Sequence, residues 1–199
     1  MKPLDTIVRC LMPFLSDRSG EDGPGIEDRL DALLQAVPGR LPDGYATALL
    51  WLRQGVLLEQ NKIISVEPPL PPEPGILNHV EENPPISVLL GLATGHNNVL
   101  EEYEATSYRM PPGLVPIGFN FGGDYMCLDT SEAGNGLIYH WFGAGDPGPD
   151  DKQGRPGWGN TFLLAYSFTD FCQRLRPADP IVLPDLPPGS VTYVCNSRR

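Results

Sequence analysis

The sequence predicts an α+β fold in which a mainly antiparallel sheet of about four to six strands is flanked by helices. In the first 55 residues, apolar side chains recur at helical spacing. Between Gly113 and Trp141, short β-rich runs alternate instead with glycine-containing turns. Strands joined by such short turns must pair antiparallel, because a parallel crossover needs a dozen or more residues. Helices followed by an antiparallel meander define the α+β class.

Three amphipathic helices are predicted in the N-terminal part of the chain. The first covers residues 3–16, and the second covers residues 26–37, where Pro38 stops it. The third lies in "LPDGYATALLWLRQG", where Pro42 occupies a position that a helix tolerates and Gly55 follows the last turn. The short apolar runs "VLL" and "KIISV" then predict two strands.

The next segment is rich in proline. Residues 67–85 contain a P-x-x-P pattern, which favours either a ligand for a polyproline-reading module or a stiff loop packed on its own domain. After it, "ISVLLGLA" and "NNVLEEYEATS" predict one or two helices, the second acidic on one face.

Four strands are predicted in the C-terminal half. "GLVPIGFNF" and "DYMCLD" flank a turn at Gly122-Gly123, and "LIYHWF" follows a second turn. A long Gly/Pro loop after Phe142 leads to "TFLLAY", and Ser167 then caps a helix that carries Asp170 at its third position. A further edge strand is predicted from Val191 to Cys195.

Length and composition indicate one globular domain of 199 residues, 41% of them hydrophobic. The four cysteines are far apart and form no C-x-x-C pair, which favours free thiols in a reducing cytosol over a disulfide framework. We find no signal-peptide core and no apolar window long enough to cross a bilayer. The sequence therefore predicts a soluble, cytoplasmic protein.

The net charge of −11 is concentrated in the middle of the chain. Between Lys62 and Lys152, thirteen carboxylates face the single base Arg109, which leaves a net −12 in that span. The remainder carries twelve acids and thirteen bases. Such a field repels nucleic acid and attracts a basic partner, although solubility alone is an alternative reason for it.

A search for catalytic chemistry finds no convincing constellation. Gly143 to Gly148 match G-x-G-x-x-G, but the prolines and acids around them exclude a helix that could bind pyrophosphate. The histidines are isolated, and the aspartates at 146, 150 and 151 lack the order of a calcium loop. Asp124 and Asp129 bracket a strand, where turn formation is favoured over paired acid/base work. We therefore predict a non-enzyme without a metal or cofactor.

Three segments of the chain resemble the SMI1/KNR4 (SUKH) superfamily, which includes bacterial immunity proteins. They are "LPDGYATALLWLRQG", the central "MPPGLVPIGFNFGGDYMCLDTSEAGNGLIYHW", and "LLAYSFTDFCQRL". The resemblance spans about residues 38–177, which predicts a single domain with a helical part at 1–55, a family-like core at 38–177 and a C-terminal extension at 178–199.

The resemblance implies an immunity protein that inhibits a cognate bacterial toxin, the toxins of such systems being mostly enzymes that attack cytoplasmic nucleic acids and nucleotides. Together with the acidic middle of the chain, it implies docking on a basic active site. A scaffold or regulatory module that binds an endogenous protein is the alternative. The oligomeric state stays open. The residues predicted to contact the partner lie in loops: Glu81, Glu82, Asp146, Asp150 and Asp151 as charges, and Trp158 as an aromatic anchor.

Overall fold

A computed structural model of the chain describes residues 3–15, 25–58, 64–69, 84–94, 97–143 and 148–177. Within these ranges lie five α-helices and a short 3₁₀ turn that follows the first helix at Met12–Phe14. The helices are α1 (Pro3–Leu11), α2 (Ile26–Ala36), α3 (Asp43–Leu52), α4 (Val99–Thr106) and α5 (Phe168–Gln173).

The strands form two antiparallel sheets. They are β1 (Val56–Leu57), β2 (Ile64–Val66), β3 (Pro85–Ile86), β4 (Val88–Leu89), β5 (Leu114–Phe119), β6 (Tyr125–Asp129), β7 (Ile138–Trp141), β8 (Thr161–Ala165) and β9 (Leu175–Pro177). The larger sheet has six strands in the order β1-β4-β5-β6-β7-β8, and the smaller has the order β3-β2-β9. The predicted α+β fold with its antiparallel meander is confirmed.

Most predicted elements are present at the expected places. The three N-terminal helices form, and the first ends at Leu11 because Pro13 in the following 3₁₀ turn cannot donate a backbone hydrogen bond. Strands β5 to β8 match the four predicted strands, and Ser167 Oγ accepts from Asp170 N at the start of α5. The predicted strand at 191–195 lies outside the described residues.

The prediction of a helix in "ISVLLGLA" is wrong, because this segment contributes β3 and β4. Its side chains at 86, 88, 89 and 90 are all buried, so the sequence is uniformly apolar instead of alternating. A short apolar run of this kind fits a strand buried on both faces as well as a buried helix. The following acidic helix, α4, is confirmed.

The larger sheet has two faces with different coverings. Residues of the inner face, such as Met126, Leu128 and Ile138, join the main core with Leu49 and Phe171 of the helices. The outer face carries a smaller buried cluster, whose members come from the sheet, the segment after α4 and the loop before β8: Met110, Leu114, Cys127, Trp141 and Trp158. Over these residues the outer face is covered by loop segments, and it carries the candidate site.

Candidate functional site

The loop that precedes β8 is organised around Asp151. Its Oδ1 accepts from the backbone N–H of Gln153 at 2.9 Å and from that of Arg155 at 2.8 Å, and Arg155 Nε donates to Oδ2. Desolvation alone would raise the pKa of Asp151, but the hydrogen bonds from Arg155 and Gln153 outweigh it and lower the pKa. Asp151 is therefore ionised at neutral pH, and its carboxylate is paired with groups of its own loop. Its neighbour Asp150 is exposed.

Trp158 anchors this loop to the outer face of the sheet. Its ring is only 6% exposed and packs edge-on against Tyr139, with 5.2 Å between the ring centroids. The Arg155 guanidinium lies 4.1 Å from the centre of the same ring, in a cation–π contact. A partner that approaches the loop therefore meets the Arg155 side chain before it meets the Trp158 ring. The direct contact predicted for Trp158 stays a prediction.

The structure brings together three of the six predicted contact residues. Asp150, Asp151 and Trp158 share the loop before β8. Glu81, Glu82 and Asp146 lie outside the described residues, so their distance from that loop is not defined.

A continuous series of rings, which we call the aromatic row, extends onto the outer face: Trp141 and Tyr125 belong to the outer cluster, whereas Phe119 packs against the main core. The centroid distances are 6.5 Å from Phe121 to Phe119, 6.0 Å from Phe119 to Tyr125, and 5.9 Å from Tyr125 to Trp141. The Arg109 guanidinium extends the row, because it lies 5.7 Å from the centre of the Trp141 ring and 5.8 Å from that of Tyr108. The row thus consists of Phe121, Phe119, Tyr125, Trp141, Arg109 and Tyr108.

The two ends of the aromatic row are open to solvent, whereas its centre is closed. Tyr108 is 80% exposed and Phe121 is 79% exposed, which makes them the most exposed large apolar side chains among the described residues. Trp141, at the centre, is completely buried. The exposed rings are thus held at the ends of a rigid support.

Helix α4 places the acidic side chain of Glu102 against the aromatic row. Asn98 starts this helix by accepting from the backbone N–H groups of Leu100 and Glu101. Glu102 accepts a 3.1 Å hydrogen bond from the hydroxyl of Tyr125. Burial, and then the charge and hydrogen bond of Glu102, raise the pKa of Tyr125 to about 12. Glu101 and Glu104 on the same helix are exposed.

The aromatic row was not predicted from the sequence, although part of its signal is local. Phe121 directly precedes Gly122-Gly123 at the tip of the β5–β6 hairpin, where a large apolar side chain has little to pack against. Tyr108 likewise follows the end of α4. Their connection through Trp141 and Arg109 depends on strand register and on the path of the chain after α4, which no local pattern specifies.

Three ionisable side chains of the larger sheet, His140, Cys127 and Asp129, are buried among the described residues. His140 on β7 is buried, which lowers its pKa to about 3, and Asp124 Oδ2 lies 3.7 Å from its Nε2. That distance is too long for a hydrogen bond, and His140 is neutral at pH 7. Burial also raises the pKa of the Cys127 thiol. Asp129 accepts from Ser131 N at 2.8 Å and so shapes the turn after β6.

Neither a metal centre nor a membrane-crossing helix emerges from the part of the chain that the structure describes. In those residues, no group of three or more His, Cys, Asp or Glu side chains is placed to hold a metal ion. Likewise, no helix among them is long and apolar enough to cross a bilayer. The outer face can present charge and aromatic surface to another molecule.

The protein is thus of the α+β class, with a six-stranded antiparallel sheet, helices packed on its inner face and an aromatic cluster on its outer face. Comparison with known families identifies it further. The model of the SMI1/KNR4 family (SUKH-1) matches residues 26–174, about three quarters of the chain. The chain belongs to this family. The match begins at α2, ahead of the boundary at residue 38 that the sequence motifs predicted.

One curated relative is the SPbeta prophage-derived uncharacterized protein YokK of Bacillus subtilis (strain 168). It is 32% identical over 81 residues, which cover 41% of this chain and 36% of that protein. The matched region is thus little more than a third of the relative's length. No solved structure matches this chain closely enough to be significant.

Proposed function

We propose that this chain is an immunity protein, which binds a cognate bacterial toxin in the cytoplasm and inhibits it without catalysing a reaction of its own. The observation that carries this proposal is membership of the SMI1/KNR4 (SUKH-1) family over residues 26–174. The family resemblance stated above associates such chains with immunity to polymorphic and secreted toxins. A toxin that acts on nucleic acid or nucleotides in the cytoplasm must be met there by its inhibitor.

The charge distribution supports a partner with a basic active site. The span between Lys62 and Lys152 carries the whole negative excess, and several of its carboxylates are exposed, including Glu101, Glu104, Glu132 and Asp150. An enzyme that acts on phosphodiesters or nucleotides binds phosphate with lysine and arginine. Carboxylates presented by an inhibitor can occupy those phosphate positions, and their long-range field accelerates association.

The proposed contact residues are those predicted from the sequence, but we assign them different roles. Asp150 is free to face a partner, whereas Asp151 and Trp158 hold the loop in shape through Arg155 and Tyr139. Glu81, Glu82 and Asp146 are proposed as further electrostatic contacts on the strength of their sequence positions.

The test is co-expression with the toxin domain encoded by the reading frame next to this chain's own gene. We expect the wild-type chain to rescue growth and to co-purify with that domain as a stable complex. A chain that gives neither rescue nor complex would contradict the proposal. Rescue by conversion of the toxin's substrate or product, without a complex, would indicate an enzyme instead.

A matched pair of variants tests the electrostatic part. Each variant reverses three exposed or loop acids to lysine, so both have the same net charge. The test variant changes Glu81, Glu82 and Asp150, and the control changes Asp5, Asp31 and Asp43 on the helices. We expect only the test variant to lose binding sharply, because close interfacial charge pairs contribute about 1.5–7 kcal/mol. Equal losses of affinity in both variants would show that overall charge, and not these three positions, determines binding.

The family resemblance also leaves a regulatory or scaffolding module as the alternative. In that case the chain would form its stable complex with an endogenous protein, and the toxin domain would not displace that protein.

A further inference from the structure

We propose that the aromatic row on the outer face is the principal docking surface for the toxin, and that it receives a basic segment whose lysine or arginine side chains lie over Tyr108 and Phe121. This inference rests on the proposed function. It assigns most of the binding energy for the toxin to residues outside the acidic loops. The predicted loop contacts are thereby given the role of electrostatic guidance.

The exposure of the row's end residues is the first argument. Tyr108 and Phe121 leave about four fifths of their surfaces in water, at 80% and 79% exposed. Single exposed apolar residues are ordinary on a protein surface, but these two end the same connected series of rings. Large aromatic side chains that a partner can cover are the usual hot spots of protein interfaces.

Preorganisation is the second argument. The row is fixed in its middle by the fully buried Trp141 and by the hydrogen bond from Tyr125 to Glu102. Arg109 is held between the rings of Tyr108 and Trp141, and its Nη1 lies 3.5 Å from the carbonyl oxygen of Gly143. A partner therefore binds rings whose supports are already ordered, which lowers the entropic cost of association.

Charge complementarity identifies the occupant as a basic protein segment. Glu102 of α4 contacts the row through Tyr125, Glu101 and Glu104 are exposed on the same helix, and Arg109 is the single base between Lys62 and Lys152. A second copy of this chain would bring another net charge of −11 to the surface, and nucleic acid would bring phosphates. A cationic side chain is attracted both by the carboxylates and by the faces of aromatic rings.

Removal of the exposed rings is the direct test, with the toxin domain of the adjacent reading frame as the probe. In the test variant, Tyr108→Ala is combined with Phe121→Ala. In the control, Met12→Ala is combined with Tyr166→Ala, which are also exposed but lie on or beside the helices. We expect the test variant to raise the dissociation constant by about 30-fold or more, as a hot spot does, and the control to leave it unchanged.

Because all four side chains are largely exposed, both variants are expected to keep the wild-type melting temperature, and circular dichroism checks this. If the folded test variant binds as tightly as the wild type, the aromatic row is not the docking surface, although the proposed function stands. If the wild-type chain itself does not bind the toxin domain, the proposed function fails and this inference fails with it.

A charge series at one position tests the nature of the occupant. Phe121→Lys and Phe121→Glu remove the same ring at the tip of the β5–β6 hairpin and introduce opposite charges. Against a basic segment, the lysine variant should bind at least about tenfold more weakly than the glutamate variant at low salt. Equal affinities, or the reverse order, would overturn the assignment of a cationic occupant.

Discussion

His140 is the residue whose protonation the fold opposes most clearly. Its imidazole is 2% exposed and sits between the rings of Phe142 and Phe162, at centroid distances of 4.6 and 4.7 Å. Neither ring nitrogen has a hydrogen-bond partner. Such a site stabilises the neutral imidazole and gives a positive charge no compensation beyond the carboxylate of Asp124, 3.7 Å away.

This burial predicts a specific dependence of stability on pH. The pKa of His140 falls from 6.5 to about 3 on folding, so below pH 6.5 the unfolded chain binds a proton that the folded chain refuses. The contribution of neutral His140 to the free energy of unfolding is fully present above pH 6.5. It is lost as the pH falls towards 3, by up to about 1.4 kcal/mol per pH unit. Urea denaturation of the wild type and of His140→Leu between pH 7 and pH 4 measures this difference.

The leucine variant lacks this proton linkage and has two fewer unsatisfied buried nitrogen atoms. We therefore expect it to be about as stable as the wild type at pH 7, within about 1.5 kcal/mol, and to become progressively more stable than the wild type in acid. A stability difference that does not change with pH would mean that His140 is protonated equally in both states.

At the scale of elements, the side chains that cap α4 and α5 make different sets of hydrogen bonds. Asn98 caps α4 through its Oδ1. Its Nδ2 also donates hydrogen bonds to the carbonyl oxygens of Leu92 and Ala93, at 3.1 and 2.6 Å. The side chain of Ser167 makes the capping bond to Asp170 N, with no further side-chain bond among the described residues. Asn98 therefore joins the start of α4 to the preceding segment after β4, whereas Ser167 serves only its own helix.

We expect this difference to appear directly in the free energy of unfolding. Ser167→Ala should cost about 1 kcal/mol, the usual value of a lost N-cap. Asn98→Ala should cost about 2–4 kcal/mol, because it also removes the hydrogen bonds from Asn98 Nδ2 to the carbonyl oxygens of Leu92 and Ala93. Denaturant titration of both variants provides the comparison, in which Ser167→Ala is the matched control. Equal losses would show that the contacts of Asn98 with Leu92 and Ala93 contribute no stability.

The same elements show what the sequence can and cannot predict. Turn glycines, caps and apolar spacing were sufficient for the N-terminal helices and for the meander β5 to β8, because each signal is local. The segment at 86–93 was predicted wrongly, since its burial on both faces removes the alternation that identifies a strand. The aromatic row was missed because Tyr108 and Phe121 are joined through the registers of β5 with β6 and of β6 with β7, and through the contacts of Arg109.

At the scale of the whole molecule, the ends of the described chain share one core. Helix α1 packs against α3 and α5, and β2 pairs with β9. The N-terminal helical part therefore packs against the family-like core. The main core lies between these helices and the inner face of the larger sheet, and a smaller buried cluster lies on its outer face.

A molecule with this charge asymmetry should associate with a basic partner at a rate that depends on salt. Charges on the acidic span act over about 10 Å at 0.1 M ionic strength and over about 3 Å at 1 M. We expect the association rate constant with the toxin domain to fall by at least about tenfold between 0.05 and 0.5 M NaCl, while the dissociation rate constant changes little. Stopped-flow or biosensor kinetics measure both constants.

In the same experiment, the charge-reversed and ring-deleted variants separate long-range electrostatic attraction from short-range packing. Reversal of Glu81, Glu82 and Asp150 should reduce both the association rate and its salt dependence, because it removes the attracting field. Removal of the Tyr108 and Phe121 rings should leave the salt dependence intact and accelerate dissociation, since short-range packing holds the complex after it forms. If ring removal instead slowed association alone, the aromatic row would guide the encounter and some other surface would hold the toxin.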